Sequence, residues 1–398
     1  MIDLLQRLGY YPRFCVWELT LLCDMRCRHC GSHAGDRRED ELSFEECLSV
    51  ADQLAAMCCE KVTLGGGEPT LHPQWHELGK RLTDQKVRVN IISNGWCWSG
   101  AELEKARYAG LSNVAFSLDG SEEAHDAVRR KGSFRRVVAA IDACVAGGMP
   151  TSVVTHINRL NYEKLRELRD LLAEHRVASW QLQLGNPAGA MADNAELVIE
   201  PDALLWIVPL IAELRTDAVE RPIIFPSDNI GYFGKHEKEL RDRGARINFW
   251  IGCRAGCQVV GIESNGNIKG CLSLPSARHG KDEFVEGNLR QEKLAGLWQK
   301  PDAFAYNRRF DENRLGGFCA VCRYRDICRG GCSWTAYSHT QSRFDNPYCF
   351  YRQAVVHRRL DLLGEDEPNE RELAYVDPDP TRRMAPGHFC PGASSAHG

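Results

Sequence analysis

No run in the chain approaches the roughly 18 consecutive apolar residues of a membrane-spanning helix, and no such span is expected. The first residues, MIDLLQRLGYYPRF, carry an acid at Asp3 and no apolar core segment, so they do not read as a secretory signal. A basic stripe is also missing and the net charge is −4, so nothing in the charge pattern calls for nucleic acid. No internal repeat is visible. What the chain has in excess is cysteine, 18 among 398 residues. Without a signal the expected compartment is the cytoplasm. Disulfides are disfavoured there, and clustered cysteines point to metal. The clusters fall at 23–30, 253–271 and 319–349. In other respects the composition is that of a globular protein, 43% hydrophobic and 26% charged, long enough for two domains or a large barrel with an appendage.

From residue 14 to about 215, short β-branched runs alternate with longer helical stretches. Strands are predicted at 14–20, 61–65, 87–93, 113–118, 151–157 and 180–184. Helices are predicted at 43–57, 74–83, 134–146 and 162–174. Ser43 with Glu46 three residues on forms a capping box, and the glycines of CVAGGMP close the helix at 134–146. Serial strand–helix units imply a parallel α/β sheet, open or curled into a partial barrel, with ligands at the C-terminal strand ends. Residues 1–13 are expected as an N-terminal extension and 216–252 as a mixed connector. A cysteine-rich unit is expected at 253–350. The remainder, 351–398, is expected as a helix and a polar, poorly ordered tail.

The first cluster follows the first strand directly. Cys23, Cys27 and Cys30 are separated by three residues and then two, which brings three thiolates to one centre. A cubane takes one cysteine per iron, so three leave one iron open. A zinc knuckle completed by His29 or His33 is the competing assignment. Gly66, Gly67, Glu68 and Pro69 follow the second strand, Ser93 and Asn94 the third, and Ser117 and Asp119 the fourth, all at the same rim. Glycines there let the backbone approach a ligand closely. Trp96 and Trp98, just beyond the third strand, suit either a cavity wall or core packing.

In this order the motifs resemble those of the radical S-adenosylmethionine (radical SAM) enzymes over residues 14 to about 215. The resemblance implies a partial (β/α)6 TIM-like barrel. It implies that Cys23, Cys27 and Cys30 are the catalytic cysteines, holding a [4Fe–4S] cluster whose open iron is chelated by SAM. It assigns Gly66, Gly67, Glu68 and Pro69 to the methionine amino group, and Ser117 to the SAM carboxylate or ribose. Ser93, Asn94 and Asp119 are rim residues of the same cofactor site. His29 is placed near the adenine. In HDAVRRKGSF it matches Asp126 and, three residues later, Arg129, a carboxylate-binding candidate with Arg130 adjacent. The implied chemistry is reductive cleavage of SAM to a 5′-deoxyadenosyl radical that abstracts hydrogen from carbon.

The later cysteines run as Cys253, Cys257, then Gly266-x4-Cys271, then Cys319, Cys322, Cys328, Cys332 and finally Cys349. Paired zinc ribbons would need a second Cys-x2-Cys, which is missing. The order resembles the SPASM extension of radical SAM enzymes. By that resemblance Cys253, Cys271 and Cys332 bind one auxiliary [4Fe–4S] cluster, with Cys257 as its expected fourth ligand. Cys319, Cys322, Cys328 and Cys349 bind the other, giving three clusters in all. Most of the remaining cysteines read as small buried hydrophobes.

SPASM enzymes mostly modify peptides and proteins, so the first expectation is a maturase acting on a ribosomally made precursor peptide. The alternative is a small molecule such as a tetrapyrrole or a sugar derivative. Leu272 stands where formylglycine-forming sulfatase maturases place an aspartate, which lowers that option. No peptide-recognition domain is expected ahead of the first strand, so leader recognition is expected to use the barrel surface, the tail or a separate protein. The expected partners are therefore the precursor peptide, a separate leader-peptide-binding protein, and an electron donor such as flavodoxin or ferredoxin.

Overall fold

The computed structural model describes residues 9–242, 248–275, 282–365 and 367–375. The expected polar tail falls largely outside them. Seven strands run parallel: β1 (Phe14–Thr20), β2 (Lys61–Gly66), β3 (Arg88–Ser93), β4 (Asn113–Ser117), β5 (Thr151–Ile157), β6 (Ser179–Leu184) and β7 (Ile223–Pro226). Three short strands follow, β8 (Val259–Ile262), β9 (Asn267–Lys269) and β10 (Gly287–Asn288). All ten form one sheet in the order β10-β9-β8-β1-β2-β3-β4-β5-β6-β7. From β1 to β7 chain order and sheet order agree, the arrangement of a barrel wall and not of a doubly wound sheet. The two outermost strands, β7 and β10, are not paired with each other, so the barrel is partial.

The helices between strands form where sequence chemistry favours them. Phe44–Ala56 starts with the expected capping box, Ser43 Oγ accepting from Glu46 N while Glu46 Oε2 accepts from Ser43 N at 2.7 Å. Ser133–Ala146 ends on Gly147 and on Gly148, whose φ of +72° supplies the left-handed turn. Trp17, Trp75 and Trp180 are fully buried at the sheet–helix interface. Cys15, Cys47, Cys59 and Cys144 are buried in the same core, as small hydrophobes are, whereas Cys58 and Cys97 are exposed. Among the described residues no helix is long and apolar enough to cross a membrane.

The structure adds elements that periodicity did not reveal. Helices form at Gly100–Tyr108 and Glu122–Val128, and β7 lies inside the stretch expected as a connector. Four residues ending in proline carry too little alternation to be visible as a strand. The larger addition is β8, which pairs parallel to the free side of β1, Phe14 opposite Val259 and Trp17 opposite Ile262. The cysteine-rich region is thereby part of the barrel sheet. Two polar ties reinforce it. Arg290 bridges to Glu46 at 2.6 Å and donates to the carbonyls of Asp40 and Glu41. Glu18, on β1, accepts from Arg38 and from Ser264 N and Oγ.

Lys269, on β9, is fully buried, and its ammonium lies 3.0 Å from both Glu263 and Asp282. Removing one partner of a buried ionic group strands the others. Lys269→Ala is therefore expected to destabilise the fold by about 3–5 kcal/mol, read as a lowered denaturation midpoint. Lys269→Met, which restores volume but not charge, should fall between the two.

Candidate active site

The cysteine loop is seated by the close approach of two backbones. Beyond β1 the chain closes on itself, Cys23 N donating to Gly35 O at 3.0 Å and Gly35 N to Leu21 O at 2.9 Å. The end of β2 clamps this loop, Gly67 N bonding Thr20 O and Glu68 N bonding Leu22 O, each at 2.8 Å. A Cβ on Gly66, whose φ is +120°, would lie 2.4 Å from Thr20 O, and one on Gly67 would lie 2.2 Å from Leu22 O. The two glycines are thus required by chain-to-chain contact. Gly65 is different. A Cβ there would meet nothing within 4 Å, and the residue lines the cavity, so this is the glycine whose missing side chain leaves room for a ligand. Gly65 was not among the residues singled out from the sequence, although it stands directly before Gly66.

The loop opens on a cavity of about 350 Å³ at the C-terminal ends of the strands. Its wall includes Cys23, Cys27, Cys30 and His29 from the loop, and Gly66, Gly67, Ser93, Asn94, Ser117 and Arg129 from the following strand ends. Ten of the residues expected to bind SAM or the first cluster therefore converge. Glu68, Pro69 and Asp119 do not reach the wall. Glu68 is 1% exposed, and its carboxylate accepts from Thr70 N, Thr70 Oγ1 and Asn94 N, the last at 2.7 Å. Burial pushes its pKa up to about 7. Its geometry is that of a strut between the β2 and β3 loops. Gln181, Gln183 and Asn186 complete the far wall, with Leu272, Ser273 and Trp334 from the cysteine-rich region. No sequence signal marked the amides, Gln181 and Gln183 sitting in an ordinary strand pattern and Asn186 just beyond it.

Asp119 is also a strut. Its carboxylate accepts from Arg129 Nε at 2.5 Å and from His156 N at 2.9 Å, and lies 3.3 Å from His29 Nε2. Burial alone would raise its pKa, but Arg129 and His29 more than offset this and hold it well below the usual carboxylate range. Of the adjacent arginines, Arg129 therefore turns inward, where its charge also reaches Cys27. Arg130 turns outward, over Trp96. Trp98 packs edge-on to Phe116, and neither tryptophan lines the cavity. The second candidate zinc histidine, His33, faces Asp193 at 3.4 Å.

The donor chemistry fits the groups that the sequence implies. Burial pushes the Cys23 thiol up to about 12 and raises Cys27, the setting in which a bound cation would favour the thiolates. Among the described residues no three His, Cys, Asp or Glu side chains converge tightly enough for a single ion. A cubane spaces its thiolates more widely, one per iron. Two buried ring nitrogens, His29 Nδ1 and His156 Nδ1, have no partner, and both rings border the cavity. Burial lowers the His156 pKa to about 3, so that ring is neutral and able to hydrogen-bond a neutral heterocycle.

The later cysteines form two groups. Cys319, Cys322, Cys328 and Cys349 surround one aromatic-walled cavity with Tyr232, Phe233, Phe318 and Tyr351. Burial and the other three thiols raise Cys328 well above the ordinary value. Cys332 is directed elsewhere, its pKa raised by burial, then by Cys253 and Cys271. Burial and Cys253 push Cys257 up to about 11, and its sulfur accepts from Asn307 Nδ2 at 3.7 Å.

Three thiols at a strand-end cavity, followed by two buried thiol groups, define an iron–sulfur protein with a small-molecule site. Comparison with known proteins gives the class its family. Residues 17–172 match the radical SAM superfamily model, and residues 253–323 match the SPASM iron–sulfur cluster-binding domain. The mycofactocin maturase MftC of Mycolicibacterium smegmatis is 32% identical over 81% of this chain and 78% of its own. The AdoMet-dependent heme synthase of Methanosarcina barkeri is 27% identical over 86% and 97%. Among solved structures, Streptococcus suis SuiB bound to the precursor peptide SuiA superposes with a TM-score of 0.69 at 17% identity, covering 87% of this chain and 77% of that one. That likeness speaks for the fold alone. The chain belongs to the radical SAM enzymes that carry a SPASM domain.

Gly67→Ala tests the loop seat. The added methyl cannot fit beside Leu22 O without moving one backbone, so the variant should lose about 1–3 kcal/mol of stability. It should also bind less iron after anaerobic reconstitution, whereas Gly100→Ala, where nothing lies within 4 Å of the new Cβ, should do neither.

Proposed function

We propose that this enzyme abstracts hydrogen from a ribosomally made peptide, leading to a crosslink or another post-translational modification. The observation that carries the reading is the size and lining of the cavity. At about 350 Å³ it is near the lower end of small-molecule sites, yet SAM and the reacting carbon must share it. One side chain of an extended peptide adds far less volume than a macrocycle. Gln181, Gln183 and Asn186 offer amide donors and acceptors suited to peptide groups. Arg129 is the only lysine or arginine among the described lining residues, and it is already paired with Asp119, which suits a polycarboxylate poorly.

Bound at Cys23, Cys27 and Cys30, the cluster with SAM supplies homolytic hydrogen abstraction from carbon. Gly65, Gly66 and Gly67 present backbone to the cofactor, and Ser93, Asn94 and Ser117 present polar side chains. Asp119 holds His29 and Arg129 in place. Leu272, Ser273 and Trp334 bring the cysteine-rich region into the far wall beside the amides. The only carboxylate among the described lining residues is Glu18, tied to Arg38 and Ser264, so this wall supplies no ready general base. Cys253, Cys257, Cys271 and Cys332, and separately Cys319, Cys322, Cys328 and Cys349, are proposed to hold two auxiliary clusters. Likeness to the heme synthase favours the second reading, a tetrapyrrole substrate.

Three cubanes correspond to about 12 iron per chain. Changing Cys23, Cys27 and Cys30 together to Ala should abolish SAM cleavage under dithionite and leave about two-thirds of that iron. Cys257→Ala should alter the spectrum of the first auxiliary cluster if its thiolate is a ligand. Substrate is decided by mass spectrometry of short peptides encoded beside the gene after co-expression. A loss of two hydrogens indicates crosslinking, and unchanged mass with deuterium uptake indicates epimerisation. If those peptides stay unmodified while an iron-tetrapyrrole drives 5′-deoxyadenosine formation, the second reading replaces the first.

A further inference from the structure

A surface beside the first cysteine loop takes no part in the cavity. Residues 129–136 read RRKGSFRR, five basic residues in eight within a chain of net charge −4. Arg129 is used internally, but Arg130, Lys131, Arg135 and Arg136 are exposed. Arg135 pairs with Glu122. Arg130 and Arg136 instead lie over the half-buried Trp96 ring, 3.8 and 4.0 Å from its centroid. Each is fixed by a backbone acceptor, Arg130 Nη1 donating to Asp24 O at 3.0 Å and Arg136 Nη1 to Trp96 O at 3.1 Å. Two like charges held on one ring repel each other, and exposed cation–π contacts return only about 0.5–1 kcal/mol each. The result is a rigid cationic, aromatic face.

That face is wired inward. Trp96 N donates to Asn94 Oδ1 at 2.8 Å, and Asn94 Nδ2 approaches Cys23 Sγ at 3.8 Å. A single side chain therefore bridges the backbone of Trp96 and the first thiol of the loop. Trp96 follows β3, whereas Arg130 follows the helix Glu122–Val128 and Arg136 lies in the helix Ser133–Ala146, so their meeting beside Cys23 is a property of the fold.

We propose that the Arg130–Trp96–Arg136 face is the docking site for an acidic one-electron carrier protein, with Trp96 and Asn94 as the inward route to Cys23. One electron leaves the reduced carrier, a flavin hydroquinone or a reduced iron–sulfur centre, and enters the oxidised cluster held by Cys23, Cys27 and Cys30. The carrier ends one electron more oxidised, and no bond is made or broken. Charge complementarity chooses the occupant, because a fixed positive face steers a negatively charged partner and orients it before contact. The proposal rests on the iron–sulfur assignment of Cys23 and is independent of the substrate's identity.

The test uses the anaerobically reconstituted holoenzyme with two probes, reduced flavodoxin and reduced [4Fe–4S] ferredoxin. Affinity is read by interferometry, and carrier oxidation by stopped-flow absorbance. With wild type, at least one carrier should bind at about 50 mM salt and weaken steeply by about 300 mM. The double variant R130E/R136E should lose about tenfold or more in affinity and most of the salt dependence. Its iron content, its spectrum and its dithionite-driven SAM cleavage should stay within about twofold of wild type. R130K/R136K should retain affinity, and Trp96→Leu should retain binding while slowing carrier oxidation. The proposal is overturned if neither carrier binds wild type or if charge reversal leaves carrier affinity unchanged. It is equally overturned if dithionite-driven cleavage falls as far as carrier-driven cleavage, since that would show a purely structural role. Loss of binding to a candidate acidic peptide substrate with carrier affinity intact would assign the face to substrate instead.

Discussion

The arrangement depends on two strands whose backbones touch where side chains would normally keep them apart. Gly66 and Gly67 let the end of β2 lie against the carbonyls of Thr20, Leu21 and Leu22. That contact fixes the point at which the cysteine loop leaves the sheet. Everything the site needs is referenced to it. Glu68, next in the chain, reaches from the clamp to Asn94 on the β3 loop, and Asn94 reaches back to Asp24 and toward Cys23. The rim of the barrel is a closed mechanical circuit of short bonds, in keeping with chemistry that demands an ordered, dry pocket.

A second circuit lies behind the cavity around Asp119. One buried carboxylate organises Arg129, His29 and the backbone of His156, elements drawn from four different segments. Such a group is costly to bury alone, and its depressed pKa shows that its partners keep it ionised. Backbone and small polar groups make up much of the wall, and the two charged groups that reach it, Arg129 and Glu18, are each held by partners outside it, Asp119 and Arg38.

Much of this was legible in the sequence because cysteine spacing and glycine placement act over short distances. Six strands were visible as β-branched runs, and the Ser43 capping box was readable from two residues. The sorting of the later cysteines came from resemblance and not from spacing, and the structure sets Cys319, Cys322, Cys328 and Cys349 around one cavity that Cys332, four residues after Cys328, does not line. What stayed hidden was set by tertiary placement. Nothing local distinguishes inward Arg129 from outward Arg130. Nor does anything local tell Glu68 to turn from the cavity, or Gln181 and Gln183 to face it. The pairing of β8 with β1 joins segments about 245 residues apart, beyond the reach of any pattern within either one.

That pairing also bears on how the chain is made. Until Val259–Ile262 has left the ribosome, the hydrogen-bonding groups on one side of β1 have no partner, although β1 is the strand from which the catalytic loop departs. A nascent barrel in that condition presents an open strand edge, the feature by which partly folded chains join one another. The short β8 therefore acts as a late-arriving seal on β1. It makes the cysteine-rich region an obligatory part of the folding unit, not a module to be trimmed away.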